Sequence, residues 1–266
     1  MSRLSESFKA QAVARRAGFI PFLVAGDPDL PTTAELLEAL SSLDPVAIEV
    51  GVPFSDPTAD GPIIQRAAQR SLDSGTSLAR ILGLLKQTKT NDLAPLVLFT
   101  YYNPILQFGH DRFAQAAAKS GVAGVLVVDL PPESAGPLHV QLRRRKIDLI
   151  FLVTPTTTDA RLRQIAKLAS GFIYVVARTG VTGTARELKD ESQALVARIR
   201  AVSDLPVAVG FGITTGAQAK RVCRYADAAV VGSRLVAEIE EATAAKRFRR
   251  GAVVRTVVER AREFVG

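Results

Sequence analysis

Short apolar runs, each about the length of one β-strand, recur eight times along this chain, and helix-like stretches fill the gaps between them. The runs are 18–24, 46–50, 96–101, 124–128, 149–153, 172–177, 207–211 and 228–231. Most are nearly continuous in Val, Ile, Leu, Phe and Ala, the pattern of parallel strands covered on both faces. Between them, 33–43, 111–119, 159–169 and 191–202 carry apolar residues at helical spacing, several opened by Asp, Ser or Thr at an N-cap position. Repeated βα units imply parallel strands joined by right-handed crossovers. Eight of them in 266 residues, with no linker-like tract, predict an α/β chain with one domain over 1–266. The expected architecture is a closed (β/α)8 (TIM) barrel, with extra helices at the N-terminus and after strands two and eight.

Such barrels do their chemistry at the C-terminal ends of the strands. The unusual residues of this chain fall there. Asp27 follows strand one, Glu49 ends strand two, Tyr101, Tyr102 and Asn103 end strand three, and Asp129 ends strand four. Thr154 and Pro155 follow strand five, and glycine-bearing turns follow strands six, seven and eight.

Glu49 constrains function most. Alternation along strand two places Ala47, Glu49 and Gly51 on one face and Val46, Ile48 and Val50 on the other. The β-branched face suits the helix layer, so Glu49 is expected to point into the barrel. A carboxylate there is either a structural ion pair or a working acid/base. In apolar surroundings its pKa should rise toward the range useful at neutral pH. A second carboxylate, Asp60, lies with Asp56 in PFSDPTADGP at 53–62, an irregular loop in which each Asp either serves chemistry or caps a turn. The turns at Gly180–Gly183, Gly210–Ile213 and Gly232–Ser233 read either as ordinary punctuation or as a phosphate cradle, with the Ser233 hydroxyl as a donor. Gly210-x-Gly212 faintly resembles a dinucleotide fingerprint, but the third glycine comes at Gly216, one place late.

Composition narrows the chemistry. One cysteine, Cys223, rules out an internal disulfide and any multi-thiolate site, and it fits a reducing compartment. Only His110 and His139 are present, and neither a zinc-protease, serine-hydrolase nor Walker motif occurs. Proton transfer therefore falls to carboxylates and tyrosines. The net charge of +8 invites a nucleic-acid reading, yet the basic residues are dispersed and aromatics make up only 6%. The runs at 143–146 and 246–250 read as solvated faces without stacking platforms. Excess positive charge can still steer anionic substrates. Residues 1–16 suggest an amphipathic helix rather than a leader, and no apolar stretch is long enough to span a bilayer. A cytoplasmic location is expected, and a plastid one remains compatible if a transit peptide has been removed.

The chain resembles the tryptophan synthase α subunit family. The resemblance is carried by FLVAGDP (22–28), IEVGVPFSDPTADGP (48–62), YYNPI (101–105), VVDLPPES (127–134), FIYVVARTGVTG (172–183), VGFGI (209–213) and VVGSRLV (230–236), in order and at family spacing. It implies a lyase of tryptophan biosynthesis that cleaves indole-3-glycerol phosphate to indole and glyceraldehyde 3-phosphate, a retro-aldol reaction without cofactor. By the same resemblance Glu49, Asp60 and Tyr174 match catalytic positions. Gly183, Gly212, Ile213, Gly232 and Ser233 match the phosphate-binding loops, and Phe22, Thr182 and Phe211 surround the indole ring. No metal is implied. A β subunit, carrying pyridoxal phosphate, is the implied partner in an α2β2 complex, with Pro53 and Asp56 facing it; nucleic acid and membrane are not expected partners. Three departures stand out. Arg234 replaces a small residue after Ser233 and either adds a phosphate contact or points outward. Thr58 replaces an apolar residue, and Leu43-Asp44-Pro45 replaces a Gly-Ala-Asp-like turn. A lone lyase without β, a non-catalytic activator of β and another sugar-phosphate enzyme are the competing readings; intact Glu49, Asp60 and Tyr174 argue against the second.

Overall fold

A computed structural model describes residues 1–88, 90–176, 185–210, 212–244 and 248–265, with 91 and 185–190 described by backbone alone. Eight parallel strands close into a barrel in chain order. They are β1 Gly18–Val24, β2 Ile48–Gly51, β3 Leu96–Thr100, β4 Val122–Val127, β5 Asp148–Val153, β6 Ile173–Val176, β7 Val207–Gly210 and β8 Ala228–Val231. The helices are α1 Arg3–Val13, α2 Leu30–Ser41, α3 Pro62–Asp73, α4 Leu78–Gln87, α5 Tyr102–Phe108 and α6 His110–Lys119. They continue with α7 Gly136–Arg144, α8 Asp159–Leu168, α9 Ala185–Arg200, α10 Gly216–Val222, α11 Ser233–Thr243 and α12 Arg250–Arg262. The (β/α)8 barrel and its extra helices before β1, after β2 and after β8 agree with the expectation.

Buried residues fall into two sets that follow strand alternation. Phe19, Leu23, Ile48, Val50, Leu96 and Leu98 pack outward under the helices. Ile20, Phe22, Val24, Ala47, Val97, Phe99, Tyr174 and Val230 fill the barrel. Val46 departs from the expected face and belongs to the inner set. Strand two begins only at Ile48, so the alternation does not reach back to it. One helix was unforeseen: α5 follows β3 directly. The Asp129 carboxylate accepts from the Tyr102 N–H at 2.7 Å at its start, and Gly109, at φ 84°, ends it.

The N-terminal end of the barrel is closed by α1. Its Leu4 and Phe8 join the inner set, and the Phe8 ring lies 5.5 Å from that of Phe172. The opposite end is left for the site.

Candidate active site

Strand pairing sets Glu49 in register between Phe22 of β1 and Val97 of β3, all three facing inward. Glu49 is 1% exposed, and neither carboxylate oxygen has a hydrogen-bond partner among the described residues. The ion-pair alternative thus has no counterpart there. Burial alone pushes the Glu49 pKa from 4.5 up to about 8, so the group is mostly protonated at neutral pH. Tyr174 of β6 is buried in the same inner set, and burial, then the Glu49 charge, holds its phenol well above the ordinary value. Its hydroxyl occupies space that only a glycine leaves: a Cβ on Gly210 would lie 2.0 Å from it.

Asp60 reaches the site from the loop before α3. One of its oxygens accepts from the Tyr101 hydroxyl at 3.1 Å, while that hydroxyl accepts from the Ala59 N–H at 3.0 Å. Burial raises the Asp60 pKa, and the Tyr101 donor opposes the rise. Tyr101 is itself pushed up by burial, so it stays a neutral donor at the strand end. The Phe54 ring stacks on Tyr101 at 5.0 Å, further fixing the loop.

One cavity of about 190 Å³ gathers these groups. Glu49, Asp60 and Tyr174 share it with Gly212 and Ile213 after β7 and Gly232 and Ser233 after β8, while Phe22 and Phe99 supply apolar wall. The two rings meet edge to face at 5.3 Å. Gly212 takes φ 78°, a left-handed conformation that favours glycine. Ser233 opens α11, whose cap Gly232 makes no side-chain cap bond; the Leu235 N–H turns back to the Gly232 carbonyl at 2.9 Å, which leaves the N–H groups of Ser233 and Arg234 for an anion. The arrangement places a protonated acid and a second carboxyl in an apolar slot whose rim is formed by glycine turns and the start of a helix.

Thr182, Gly183 and Phe211 lie outside the described residues, as does the turn after β6. Asp56 is exposed on the Asp60 loop, whereas Pro53 is buried and lines a smaller recess with Phe22 and Asp60. Arg234 takes the second of its two alternatives. Its guanidinium donates along α11 to Glu238, which also accepts from Arg260 of α12 at 2.7 Å, and Arg234 is absent from the cavity wall. Thr58 is exposed. Sequence reasoning missed Ile64, Phe99 and Thr214 as lining residues and Tyr101 as the partner of Asp60. Phe99 was findable by strand alternation from Val97. Among the described residues, no cluster of three metal-ligating side chains occurs, and no helix is long and apolar enough to cross a membrane.

The family model described as tryptophan synthase alpha chain matches residues 8–264. The tryptophan synthase alpha chain of a Caulobacter species is 50% identical over 241 residues, covering 90% of this chain and 88% of that protein. The crystal structure of tryptophan synthase subunit alpha from Legionella pneumophila superposes with a TM-score of 0.88 at 34% identity, covering 99% of this chain and 98% of that one. A chain of Mycobacterium tuberculosis tryptophan synthase in its aminoacrylate-bound form gives 0.85 at 33% identity, with 98% of each covered. With a family model spanning nearly its whole length and half of 241 aligned residues shared with a relative, the chain belongs to the tryptophan synthase alpha chain family.

Proposed function

We propose that the cavity described above carries out the family's reaction with Glu49 as its acid and base, Asp60 and Tyr174 as its other catalytic groups, and the Ser233 end of α11 as its phosphate anchor. The chain is a carbon–carbon lyase of tryptophan biosynthesis, cleaving indole-3-glycerol phosphate to indole and glyceraldehyde 3-phosphate. The observation that carries the residue assignment is the buried Glu49 carboxyl, without a hydrogen-bond partner among the described residues, opening on the same cavity as Ser233.

The chemistry follows from protonation states. Glu49, mostly protonated at neutral pH, gives its proton to indole C3 and leaves a cationic indoleninium ring. The carboxylate so formed takes the proton of the adjacent side-chain hydroxyl as the C–C bond breaks, yielding the aldehyde and neutral indole. Both protons pass through one carboxyl, which ends as it began. Asp60, ionised, stabilises the positive charge near the ring nitrogen, and its hydrogen bond from Tyr101 favours that ionised form. Tyr174, of the inner set, lines the same cavity as Glu49 and fixes its surroundings. Gly212, Ile213, Gly232 and Ser233 hold the phosphate, together with Gly183 as the family resemblance implies. This remote anchor supplies binding energy that orients the reacting end. Phe22, with Thr182 and Phe211, encloses the indole.

In this reading indole passes to a β subunit in an α2β2 complex. The exposed Asp56 meets that partner, and the buried Pro53 shapes the loop that presents it. Pyridoxal phosphate belongs to the β subunit and is not used by this chain. The setting is cytoplasmic.

Glu49→Gln tests the central assignment. Loss of a general acid/base should lower indole release by about 10²–10⁴-fold, with binding of glycerol 3-phosphate retained. Turnover close to that of the parent chain would remove Glu49 from the mechanism. Repeating the assay with β subunit present separates a partnered enzyme, whose rate responds, from a lone lyase, whose rate does not.

A further inference from the structure

Helix α3 leads away from the Asp60 loop with its first-turn isoleucines, Ile63 and Ile64, only partly buried against the inner set. Its buried side chains are Ala67, Ala68 and Ser71, all small. The helix it packs against, α11, buries Leu235, Val236 and Ile239. What holds α3 on that side is a chain of charge. Arg70 donates through Nε and Nη2 to the two oxygens of Asp27 at 2.9 and 2.8 Å, and through Nη1 to Glu240 Oε1 at 2.8 Å. Arg66, one turn earlier, donates to both oxygens of Glu240 at 2.7 Å. The Asp27 side chain has no exposed surface, and Arg70 keeps 31% of its own.

This chain ties together three segments that reach the cavity. Asp27 follows β1, which supplies Phe22. Arg66 and Arg70 lie on α3, whose first turn follows Asp60 and supplies Ile64. Glu240 lies on α11, whose first residue is Ser233. Arg70 itself is not part of the cavity wall.

Resting on the roles assigned to Asp60 and Ser233, we infer that Arg70 is a positioning residue, locked between Asp27 and Glu240, that fixes the span between the Asp60 carboxylate and the phosphate anchor. The substrate's ring and phosphate are separated by a covalent frame of set length, so that span must match it. A misplacement of about 1 Å can cost about 10² in rate. The guanidinium fork fixes angle as well as distance, and a lysine ammonium keeps the charge without the angle. Burial raises the Asp27 pKa against the pull of Arg70, and Arg66, then Arg70, hold Glu240 down to about 2, so the Glu240 end stays charged at working pH.

The test uses Arg70→Lys and Glu240→Gln in the full chain, each alone and combined with Asp60→Asn. Indole release gives kcat and KM, glycerol 3-phosphate binding reports the anchor, and thermal melts set an assay temperature well below each Tm. Arg70→Lys should lower kcat by about 10- to 100-fold while changing glycerol 3-phosphate affinity less than about 3-fold. In the Asp60→Asn background the same change should cost less than about 2-fold, because the group being positioned is gone. Glu240→Gln should repeat the pattern more weakly; Glu240 keeps 30% exposure, so this variant tests the inference even if Arg70→Lys does not fold. Two folded variants with kcat within about 2-fold of the parent would overturn the inference, as would an Arg70→Lys loss that is equal with and without Asp60. In the second case Asp60→Asn is itself damaging and only the inference falls. A silent Asp60→Asn removes the assigned role of Asp60, and the inference with it.

Discussion

An uncharged Glu49 is the cheaper state inside this barrel, and that preference must appear in folding as well as in turnover. Its folded pKa of about 8 stands above the ordinary 4.5. Between those values the folded chain binds a proton that the unfolded chain has lost, so stability falls as pH rises from about 4.5 to about 8 and levels off above. A shift of that size corresponds to roughly 5 kcal/mol across the window. Glu49→Gln removes the titration. Its melting temperature relative to the parent should therefore climb as buffers go from pH 5 to about pH 8 and level off above; a constant difference would mean that Glu49 has an ordinary pKa. In the proposed mechanism the same proton is the one given to the substrate, so kcat/KM in the parent should decline above about pH 8. Position 49 was readable in the sequence because the cue was local: a carboxylate within a strand-length apolar run, with alternation to say which way it faced. Val46 shows the limit of that cue, since alternation holds within the strand, and the strand starts two residues later. Tyr174 was reached only through family resemblance; the space that admits it is made by Gly210 on the next strand, which single-chain periodicity does not register.

Between elements, the loop bearing Asp60 depends on a partner 41 residues away, which explains why sequence reasoning placed Asp60 but not Tyr101. The Tyr101 hydroxyl is shared between the Asp60 carboxylate and the Ala59 N–H, so one side chain holds both the group and its backbone. Nothing in the order YYNPI says that the loop after β2 will fold back over it. The run looked like a strand end, and the short helix α5 beginning at Tyr102 was hidden for the same reason. Tyr101→Phe removes the hydroxyl and keeps the ring that stacks on Phe54. A hydrogen bond to a charged group contributes roughly 1.5–3 kcal/mol, so kcat should drop by about 10- to 100-fold with little loss of phosphate binding. It should also leave Asp60 with a higher pKa, because the opposing donor is gone. A pH profile whose acidic limb moves upward in Tyr101→Phe would show both effects together, and an unmoved limb would sever Tyr101 from Asp60.

At the level of the whole molecule, the two ends of the barrel divide the work. The C-terminal end carries the cavity and every described residue assigned to chemistry, while the N-terminal end is sealed by α1, whose Leu4 is fully buried and belongs to the barrel interior. Leu4 fills a place that inward glycines leave open: a Cβ built on Gly124 would lie 2.8 Å from its Cδ1, and one on Gly171 3.0 Å. The amphipathic character of residues 1–16 was legible; that their apolar face becomes a plug was not, since it depends on glycines in β4 and before β6. Leu4→Ala should empty that plug and destabilise the fold by about 2–5 kcal/mol, read as a lower denaturant midpoint with an unchanged slope. Because the cavity lies at the other end of eight rigid strands, kcat and KM for indole release should stay within about 2-fold of the parent when measured well below the new Tm. A loss of kcat in a chain that is demonstrably folded would mean that the plug sets the geometry of Glu49 through the barrel interior. The two ends would then be one mechanical unit, and the barrel would be transmitting strain along its inner layer of side chains.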